Sequence, residues 1–455
     1  MLKEREPQIR KNEITILTSS LFDPRLRAFL SDISIVVDTD TGLVIRTYKQ
    51  DDSLPPPDPA VEANTIDLRG LTVLPGLVDA HTHIFLHPYS ETPSLNQMRD
   101  ESFVERVVRA TNHAKAALMA GYTTYRDLGT EGLRDADANF RDTINRGLIE
   151  GPRMFVATEC IASSGGYEIR QEHGMHCLGA SAPRISDPAD GVDGVRAAVR
   201  RRLGAGADII KFYADYRKRQ LRFPPPAWPG AREIAFPPLS DILTGARNPN
   251  LRLFNQDEIN AMVSEAKAGK APICAHAQSP EAVIMAAKAG VTSVEHGFMP
   301  SEEALDAMKE NGTIFVPTLS VFEAALHPST GSSRDANEAF QAILDHTKAA
   351  HEKGVKLACG GDTGGFAHGD NARELELFVK VGIPLEDVLQ AATLHGWEAC
   401  GGDLCGRRFG CIDAGFAADI TALRGDVTED LSALRRVAFV MKDGRIYKDE
   451  RKLRS

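Results

Sequence analysis

Residues 73–83 read VLPGLVDAHTH, an apolar run that ends in two histidines with a single residue between them. Successive side chains along a strand point to opposite faces, so His81 and His83 share one face if this run is a strand. Two imidazoles directed at one point provide half of a metal site. The run also divides the chain, because the sequence before it and the sequence after it have different patterns.

From residue 74 onward, apolar runs alternate with segments of helical periodicity. Two of these helical segments, residues 279–290 and 301–312, end at a glycine that can serve as a C-cap. Strands that alternate with helices predict parallel pairing, and eight such strands close a (β/α)8 TIM-like barrel. The sequence therefore predicts an α/β protein. The eight apolar runs are VLPGLVDAHTH, YTTYRDLG, PRMFVATE, ADIIKFYAD, PICAHAQ, VTSVEHG, TIFVPTL and VKLACGGD.

The two ends of the chain have a different texture, with short strand-like runs separated by turn residues. Neither end has enough strands for a stable sheet by itself, so residues 1–73 plus 411–455 are predicted to pair into one small β-sandwich domain. The dipeptide Asp443-Gly444 predicts a hairpin turn within it. The barrel, residues 74–410, is then inserted between the two halves. Residues 218–254, rich in proline and aromatic residues, are predicted to be an insertion after the fourth barrel strand.

Composition excludes several classes of partner. The chain has 455 residues, with 53 Lys and Arg against 63 Asp and Glu, which gives a net charge of −10. No excess of positive charge is available to neutralise phosphates, so no nucleic acid partner is expected. No run approaches the roughly 20 apolar residues of a membrane-spanning helix, and the first thirty residues lack the apolar core of a signal peptide. These features predict a cytoplasmic protein with no membrane partner.

Polar residues also end four of the later runs, and all of them fall at or near the carboxyl end of a predicted strand. In barrels that face carries the active site. Independent accidents would not place six such residues at one end of successive strands, so the conjunction predicts a metal site. Imidazole and carboxylate groups suit zinc, with manganese, cobalt or iron as alternatives. The six residues are His81, His83, Lys211, His276, His296 and Asp362.

Taken in order, LPGLVDAHTH, ADIIK, CAHA, VEHG and GGDTGGFAHGDNARELE resemble the metal-dependent amidohydrolase superfamily. KFYADYR and FAHGDNARELE are similar to its imidazolonepropionase-like, prolidase-like branch, which includes Xaa-Pro and Xaa-Arg dipeptidases and ochratoxinase-like amidases. The resemblance implies two divalent metal ions, with zinc favoured, and a homo-oligomer. It implies that His81, His83 and Asp362 hold one ion, that His276 and His296 hold the other, and that Lys211, carboxylated on its side-chain nitrogen, bridges them.

The same resemblance implies a reaction. A metal-activated hydroxide would cleave an amide C–N bond, with Asp362 as general acid and base. The substrate would be a small molecule with a carboxylate, either an N-acyl amino acid or a dipeptide-like compound. Two alternatives remain open. A metal-dependent decarboxylase or lyase could use the same scaffold, and a metal-free scaffold of this fold would be expected to lack some of the ligands.

Substrate contacts are predicted next to the metal ligands. Tyr213 and Arg217 are suited to hold a substrate carboxylate by charge-assisted hydrogen bonds. His368 and Asn371, after the eighth strand, could line the pocket. The branch often has a Gly-Gly-His segment after the third strand, and this sequence has Tyr167 in place of that histidine. The sequence therefore departs from the branch near the expected substrate, and the usual dipeptide specificity does not follow from the resemblance.

Overall fold

The structure is a computed structural model that describes residues 12–50, 64–166, 184–218, 250–299, 301–326 and 334–451. Tyr167, the side chain of Arg217 and most of the predicted insertion at 218–254 lie outside the described part. The described strands are β1 (Glu13–Leu17), β2 (Ser20–Asp23), β3 (Ala28–Leu30), β4 (Ile33–Asp38), β5 (Leu43–Lys49), β6 (Thr65–Asp67), β7 (Leu71–Pro75), β8 (Leu77–Thr82), β9 (Tyr122–Asp127), β10 (Arg153–Val156), β11 (Cys160–Ala162), β12 (Ser186–Pro188), β13 (Ile210–Tyr213), β14 (Asp215–Lys218), β15 (Asn250–Arg252), β16 (Ile273–Ala277), β17 (Ser293–His296), β18 (Ile314–Val316), β19 (Ile420–Arg424), β20 (Val437–Lys442) and β21 (Arg445–Asp449).

Helices separate the strands of the middle region. The two predicted with a glycine C-cap are confirmed, since the chain after each turns left-handed at Gly290 and Gly312, with φ of 83° and 66°. Among the described residues, no helix is both long enough and apolar enough to cross a membrane. The described helices are α1 (Ser94–Asp100), α2 (Phe103–Met119), α3 (Ala136–Asn145), α4 (Gly191–Gly204), α5 (Gln256–Ala268), α6 (Pro280–Ala289), α7 (Glu302–Asn311), α8 (Leu319–Leu326), α9 (Arg334–Lys353), α10 (Ala372–Lys380), α11 (Leu385–Ala391) and α12 (Leu394–Ala399), with short 3-10 turns at Gly402–Cys405 and Leu431–Arg435.

The middle of the chain forms parallel sheets. Within the described residues, one sheet has the strand order β10-β9-β8 and the other has the order β12-β11-β13-β16-β17-β18. Every residue of β8, β9, β16 and β17 is buried, as expected for parallel strands that helices cover on the outer face. The α/β class predicted from the sequence is therefore confirmed.

Backbone hydrogen bonds connect the two parallel sheets at both of their junctions. On one side the Ile209 amide donates to Val156 O (3.2 Å), beside β13 and β10. On the other side the segment 355–362 lies between β18 and β8, where Ala358 N donates to Phe315 O (3.0 Å) and Ala80 N donates to Cys359 O (2.9 Å). This segment was predicted as the eighth strand, but these described residues make isolated bridges and no continuous strand.

Besides the two-stranded sheet β14-β15, the described residues form two further sheets from strands near the two ends of the chain. One described sheet has the order β21-β20-β19-β7-β2-β3, which joins carboxyl-terminal strands to amino-terminal ones, and a second has the order β5-β4-β1-β6. Apolar side chains such as Ile16, Val73 and Phe439 form a common cluster. The predicted hairpin is confirmed, because β20 and β21 are antiparallel and Lys442 pairs with Arg445 across the turn.

A group of ion pairs connects the parallel sheets to the carboxyl-terminal strands. The guanidinium of Arg153, in β10, contacts Asp419 (2.7 Å) just before β19 and Asp443 (2.6 Å) in the β20–β21 turn. It also donates to Thr124 Oγ1 (3.0 Å) and lies over the Phe409 ring at 4.9 Å. Only 1% of the Asp419 side chain is exposed, so this charge depends on its partners for stabilisation.

Candidate metal centre

The six predicted ligands lie at the carboxyl ends of the parallel strands. Five of them are buried, and the side chain of Asp362 is 14% exposed. The parallel register places Tyr213 beside His276 and Ala277 beside His296 in neighbouring strands. The six are His81 in β8, His83 directly after it, Lys211 in β13, His276 in β16, His296 at the end of β17, and Asp362 at the end of the segment that bridges to β8.

The side chains of this group converge. His81, His296 and Asp362 each offer one ligand atom, and these three atoms lie within 4.8 Å of one another. The ring centroids of His276 and His296 are 4.5 Å apart, and those of His81 and His83 are 5.5 Å apart. The structure therefore brings the predicted histidines and the aspartate into one small volume, with His296 between His81 and His276.

Two buried polar atoms in this volume indicate what it can hold. Within the described residues, neither Lys211 Nζ nor His276 Nε2 has a hydrogen-bond partner. A buried donor or acceptor left without a partner costs about 1–3 kcal/mol, so such atoms are expected to meet a ligand. Imidazole nitrogens beside a carboxylate are the donor set that zinc and similar ions prefer. The residues present fit a divalent metal ion.

Burial holds three of the histidines in the state that binds metal. It lowers the pKa of His81 to about 4, and the positive charge of Lys211 acts in the same direction. Burial and the neighbouring His81 lower the pKa of His296 to about 3. Burial and His296 lower the pKa of His276 well below its ordinary value. Because a metal binds the neutral imidazole, these rings need no deprotonation at neutral pH.

His83 is in a different state. Its Nδ1 donates to Gly129 O (2.9 Å), and its Nε2 lies 3.2 Å from Asp362 Oδ1. Burial favours the neutral ring, but the hydrogen bond to Asp362 outweighs it and raises the pKa of His83 to about 9. Burial also disfavours the charged Asp362, yet His81 and His83 together hold the pKa of that carboxyl well below its usual range. Each of these two groups therefore favours the charged form of the other, and a bound cation would take the place of the His83 proton between them.

Sequence analysis missed Glu295, a carboxylate that contacts the predicted ligand His81. His81 Nδ1 is 2.9 Å from Glu295 Oε2, and the other oxygen of Glu295 accepts from Arg126 Nη2 at 2.7 Å. The side chains of Glu295 and Arg126 are both fully buried. Burial opposes the charge on Glu295, but Arg126 and His81 outweigh it and hold its pKa below the usual range. The signal that the sequence offered was one basic and one acidic residue, Arg126 and Glu295, each inside an otherwise apolar strand.

Two further carboxylates fix the backbone around His81. Asp79 accepts from the His81 amide (3.0 Å), and its other oxygen accepts from Thr363 Oγ1 (2.7 Å) and Asn371 Nδ2 (2.6 Å). Asp127 accepts from the Ile84 amide at 2.6 Å. Burial raises the pKa of Asp79 to about 6. Asn371, considered as a pocket residue from the sequence, is therefore a buried partner of Asp79.

The predicted substrate contacts have mixed positions. The Tyr213 ring is 5.0 Å from the His276 ring, as predicted for a residue beside the ligands, and its side chain is hydrogen-bonded to Cys160. Tyr216, not singled out from the sequence, lies 5.1 Å from the same ring. The ring nitrogens of His368 contact Leu86 O (3.1 Å) and the Tyr125 hydroxyl (3.4 Å), and the ring also hydrogen-bonds to the backbone of His83.

Partly exposed aromatic rings lie on the other side of the histidines. Phe322, in α8, is 6.1 Å from the His296 ring, and Phe298 lies 5.1 Å from Phe322. Both rings are half-buried. Together with Tyr216 they give the group an apolar border, which is suited to the hydrocarbon part of an organic substrate.

The backbone is left-handed at several strand ends of the candidate centre. φ is 73° at His296 and 59° at Asp362, and it is 55° at Thr318, whose hydroxyl lies 2.8 Å from His296 Nδ1. This conformation costs roughly 1–2 kcal/mol for residues other than glycine. Non-glycine residues in such conformations cluster at functional sites, where the surrounding structure holds them.

Comparisons with known proteins agree with this geometry. Residues 72–447 match the model of the family described as the amidohydrolase family. The chain is 29% identical over 401 residues to ochratoxinase of Aspergillus niger, covering 83% of this chain and 75% of that protein. Among solved structures, a Xaa-Pro dipeptidase with methionine in its active site is 31% identical, with a TM-score of 0.75 over 96% of this chain and all of that one. A prolidase complexed with N-methylphosphonate-L-proline is 25% identical, with the same TM-score and coverage.

Proposed function

Because the chain belongs to the amidohydrolase family, we propose that it is a metal-dependent hydrolase that cleaves the amide C–N bond of an N-acyl amino acid or dipeptide-like substrate with a free carboxylate. One observation carries the proposal, which is the convergence of His81, His296 and Asp362 with their ligand atoms within 4.8 Å of one another. The similarity to ochratoxinase and to prolidase-like structures supports the same reaction class.

The proposed centre holds two divalent ions, with zinc favoured. His81, His83 and Asp362 would hold one ion, and His276 and His296 the other. Lys211 would bridge them after its side-chain nitrogen has been carboxylated, and the buried, unpartnered Nζ supports a ligand role. When bound, such ions lower the pKa of a water molecule and polarise a carbonyl. This division follows the family resemblance; the ring distances from His81 to His83 (5.5 Å), from His81 to His296 (5.0 Å) and from His276 to His296 (4.5 Å) support one common centre for the four histidines.

Asp362 is the proposed general base and general acid. Its Oδ1 lies 3.2 Å from His83 Nε2 and 3.7 Å from His81 Nε2, so the carboxylate is held at the centre of the group. An ionised carboxylate in this position has oxygen lone pairs that can accept the proton of an attacking water molecule. The same carboxyl would then deliver that proton to the departing nitrogen. The amine product leaves with the proton, and the acyl product keeps the oxygen from water.

The substrate would lie between aromatic rings and the metal ligands. Tyr216 and Phe322 border the histidines, and we propose that they contact the apolar part of the substrate. Tyr213, Arg217, Tyr167 and His368 stay predictions as substrate contacts, with Tyr213 favoured by its position against His276.

The fold proposal follows from the hydrogen bonds between the sheets. We propose that the two parallel sheets close into one (β/α)8 barrel over residues 74–410, with an insertion at 218–254. The bonds at Val156 and Phe315 support closure at the two junctions. Residues 1–73 plus 411–455 would form the β-sandwich. A homo-oligomer remains a prediction from the family resemblance.

The test is hydrolysis in water enriched in oxygen-18. Protein loaded with zinc is incubated with a panel of N-acyl amino acids and dipeptides, including prolyl and aromatic members. One heavy oxygen in the new carboxylate is expected, since hydrolysis must incorporate solvent oxygen. Release of carbon dioxide, or of an unlabelled elimination product, would favour the decarboxylase or lyase alternative.

A pair of histidine variants provides the matched control for this test. His276→Asn removes a proposed ligand and is expected to abolish turnover. His351→Asn replaces a partly buried histidine, whose Nε2 lies 2.9 Å from Asp387 Oδ2, and is expected to keep it. Metal-loaded protein that is inert on the whole panel would refute the proposal.

A further inference from the structure

Glu295 has a complete set of hydrogen-bond donors. Its Oε1 accepts from Arg126 Nη2 (2.7 Å) and from the Ser293 hydroxyl, and its Oε2 faces His81 Nδ1 at 2.9 Å. These side chains are shielded from solvent: those of Arg126 and Glu295 are 0% exposed and that of His81 is 1% exposed. In this low-dielectric position the Arg126–Glu295 pair is an ion pair whose partners cannot turn to water.

The ion pair dictates which nitrogen of His81 carries the proton. A carboxylate only accepts hydrogen bonds, so the contact requires a proton on His81 Nδ1. The neutral ring then has its lone pair on Nε2. That atom lies 3.7 Å from Asp362 Oδ1 and so faces the converging ligand group. Glu295, on the Nδ1 side of the His81 ring, therefore selects the tautomer whose Nε2 is free to bind a metal.

Arg126 is itself held by the backbone of two elements. Its Nε donates to Ala80 O in β8, and its Nη1 donates to Ala399 O in α12 (3.0 Å) and to the Ser293 hydroxyl (2.8 Å). The guanidinium thus has a fixed plane, and Nη2 is left for Glu295. An arginine held in this way keeps the Glu295 carboxylate charged and in place. A neutral amide at position 295 could donate a hydrogen bond to His81 as well as accept one.

We propose that Arg126, acting through Glu295, is a positioning residue that fixes the tautomer and orientation of His81 for metal binding. The inference rests on the function proposed above only in taking His81 as a metal ligand. Replacing Arg126, or removing its charge, would leave all six predicted ligands in the protein. The effect would instead appear as weaker retention of the metal.

The test measures metal retention in the full-length, zinc-loaded protein. Glu295→Gln keeps the size of the side chain but can present either an oxygen or an NH2 group to His81. The concentration of chelator that removes half of the zinc is expected to fall by about 10- to 100-fold, the usual loss when such a partner is altered. Arg126→Lys, which keeps the charge but loses the planar fork, is expected to show a smaller decrease and serves if the first variant fails to fold.

The matched control is Glu159→Gln. Glu159 is also a buried carboxylate that pairs with a buried arginine, since its Oε2 lies 2.9 Å from Arg202 Nη1, but it contacts none of the six predicted ligands. Its replacement removes the same charge and is expected to leave zinc retention unchanged. If Glu159→Gln weakens retention as much as Glu295→Gln, the effect is general destabilisation and the inference is overturned.

A second readout reports the tautomer directly. Long-range proton–nitrogen NMR spectra of metal-free protein with labelled histidine distinguish a protonated Nδ1 from a protonated Nε2, and the spectrum of His81→Asn identifies the His81 signals. Wild-type protein is expected to carry the proton on Nδ1, and Glu295→Gln is expected to populate both tautomers. Unchanged zinc retention and an unchanged tautomer in Glu295→Gln would overturn the inference. Wild-type protein that holds no metal would instead refute the proposed function.

Discussion

Replacing Arg153 with methionine should destabilise the protein by about 3 kcal/mol. Arg153 contacts Asp419 at 2.7 Å and Asp443 at 2.6 Å, and the Asp419 side chain is only 1% exposed. Removing one partner of a buried ion pair costs about 3–5 kcal/mol, because the other charge is left buried. The lower end applies, since Asp419 keeps the Asp443 amide (2.8 Å) and the Asp443 side chain is 35% exposed and keeps Arg407. Methionine preserves the apolar stem over the Phe409 ring.

The expected loss is measurable as a shift in melting temperature. Unfolding entropy is about 2.1 cal/mol/K per residue, so a chain of 455 residues has about 1 kcal/mol/K. A loss of about 3 kcal/mol then lowers the Tm by about 3 °C. Differential scanning calorimetry at neutral pH measures this shift, and a urea titration followed by circular dichroism gives an independent value.

Arg201→Met is the control for the Arg153 variant. Arg201 also pairs with a buried carboxylate, Asp187, at 2.8 Å, but its own side chain is 47% exposed. An exposed partner contributes roughly 0–1 kcal/mol, so the control should melt within about 1 °C of wild type. The reasoning fails if the Arg153 variant melts as wild type does, or if both variants lose the same stability.

Three other outcomes are expected. Asp362→Asn should lower amide turnover by about 10²- to 10⁴-fold with an unchanged circular dichroism spectrum, and a variant that keeps most of the rate would exclude Asp362 as the general base. Metal removal with a chelator should lower the Tm, and free zinc at about 100 times its Kd should restore about 2.7 kcal/mol; equal melting of both forms would contradict a specific site. Burial lowers the pKa of Lys442 from 10.5 to about 8, so the folded protein binds the proton of this ammonium less tightly than the unfolded chain does. The free energy of unfolding should therefore rise with pH between pH 8 and pH 10.5. Lys442→Met should therefore lose this rise of stability with pH in urea titrations, and a rise that persists unchanged in the variant would count against this cause.

The positions of the candidate histidine ligands at strand ends could be predicted because their signal is local. His81 and His83 follow an apolar run, and strand alternation alone gives them a common face. His276 and His296 end two other buried runs in the same way, and the parallel pairing of β16 with β17 brings them together. The hairpin at Asp443 was equally local, since its turn residues stand between two apolar runs.

The failures concern contacts between segments that are distant in the sequence. The partners of His368 were not predicted, since its ring meets Leu86 and Tyr125, and neither residue is near it in the chain. The eighth predicted strand has Gly360 and Gly361 just before its last residue, Asp362, and a Cβ at Gly360 would lie 2.6 Å from the His81 amide nitrogen. That close approach of two backbones explains why the segment makes bridges and no regular strand.

Arg126 and Glu295 were missed for a different reason. Each lies inside an apolar run whose neighbours are all buried, and the strand pattern took priority over the single charge. A buried charge without a partner is too costly to persist. One arginine and one glutamate in two buried strands are therefore expected to contact each other. The contact that this rule predicts is the one that holds His81.

The left-handed backbone at His296 and Asp362 limits how this centre can be redesigned. A side chain there is directed by a main-chain turn that β-branched residues rarely adopt, while glycine, asparagine and aspartate enter it at low cost. A library that replaces either position with valine or isoleucine would therefore carry a backbone cost of roughly 1–2 kcal/mol in addition to the loss of the side chain. Changes in metal or substrate preference are better sought on the aromatic border, where the backbone around Phe322 is helical and accepts most side chains.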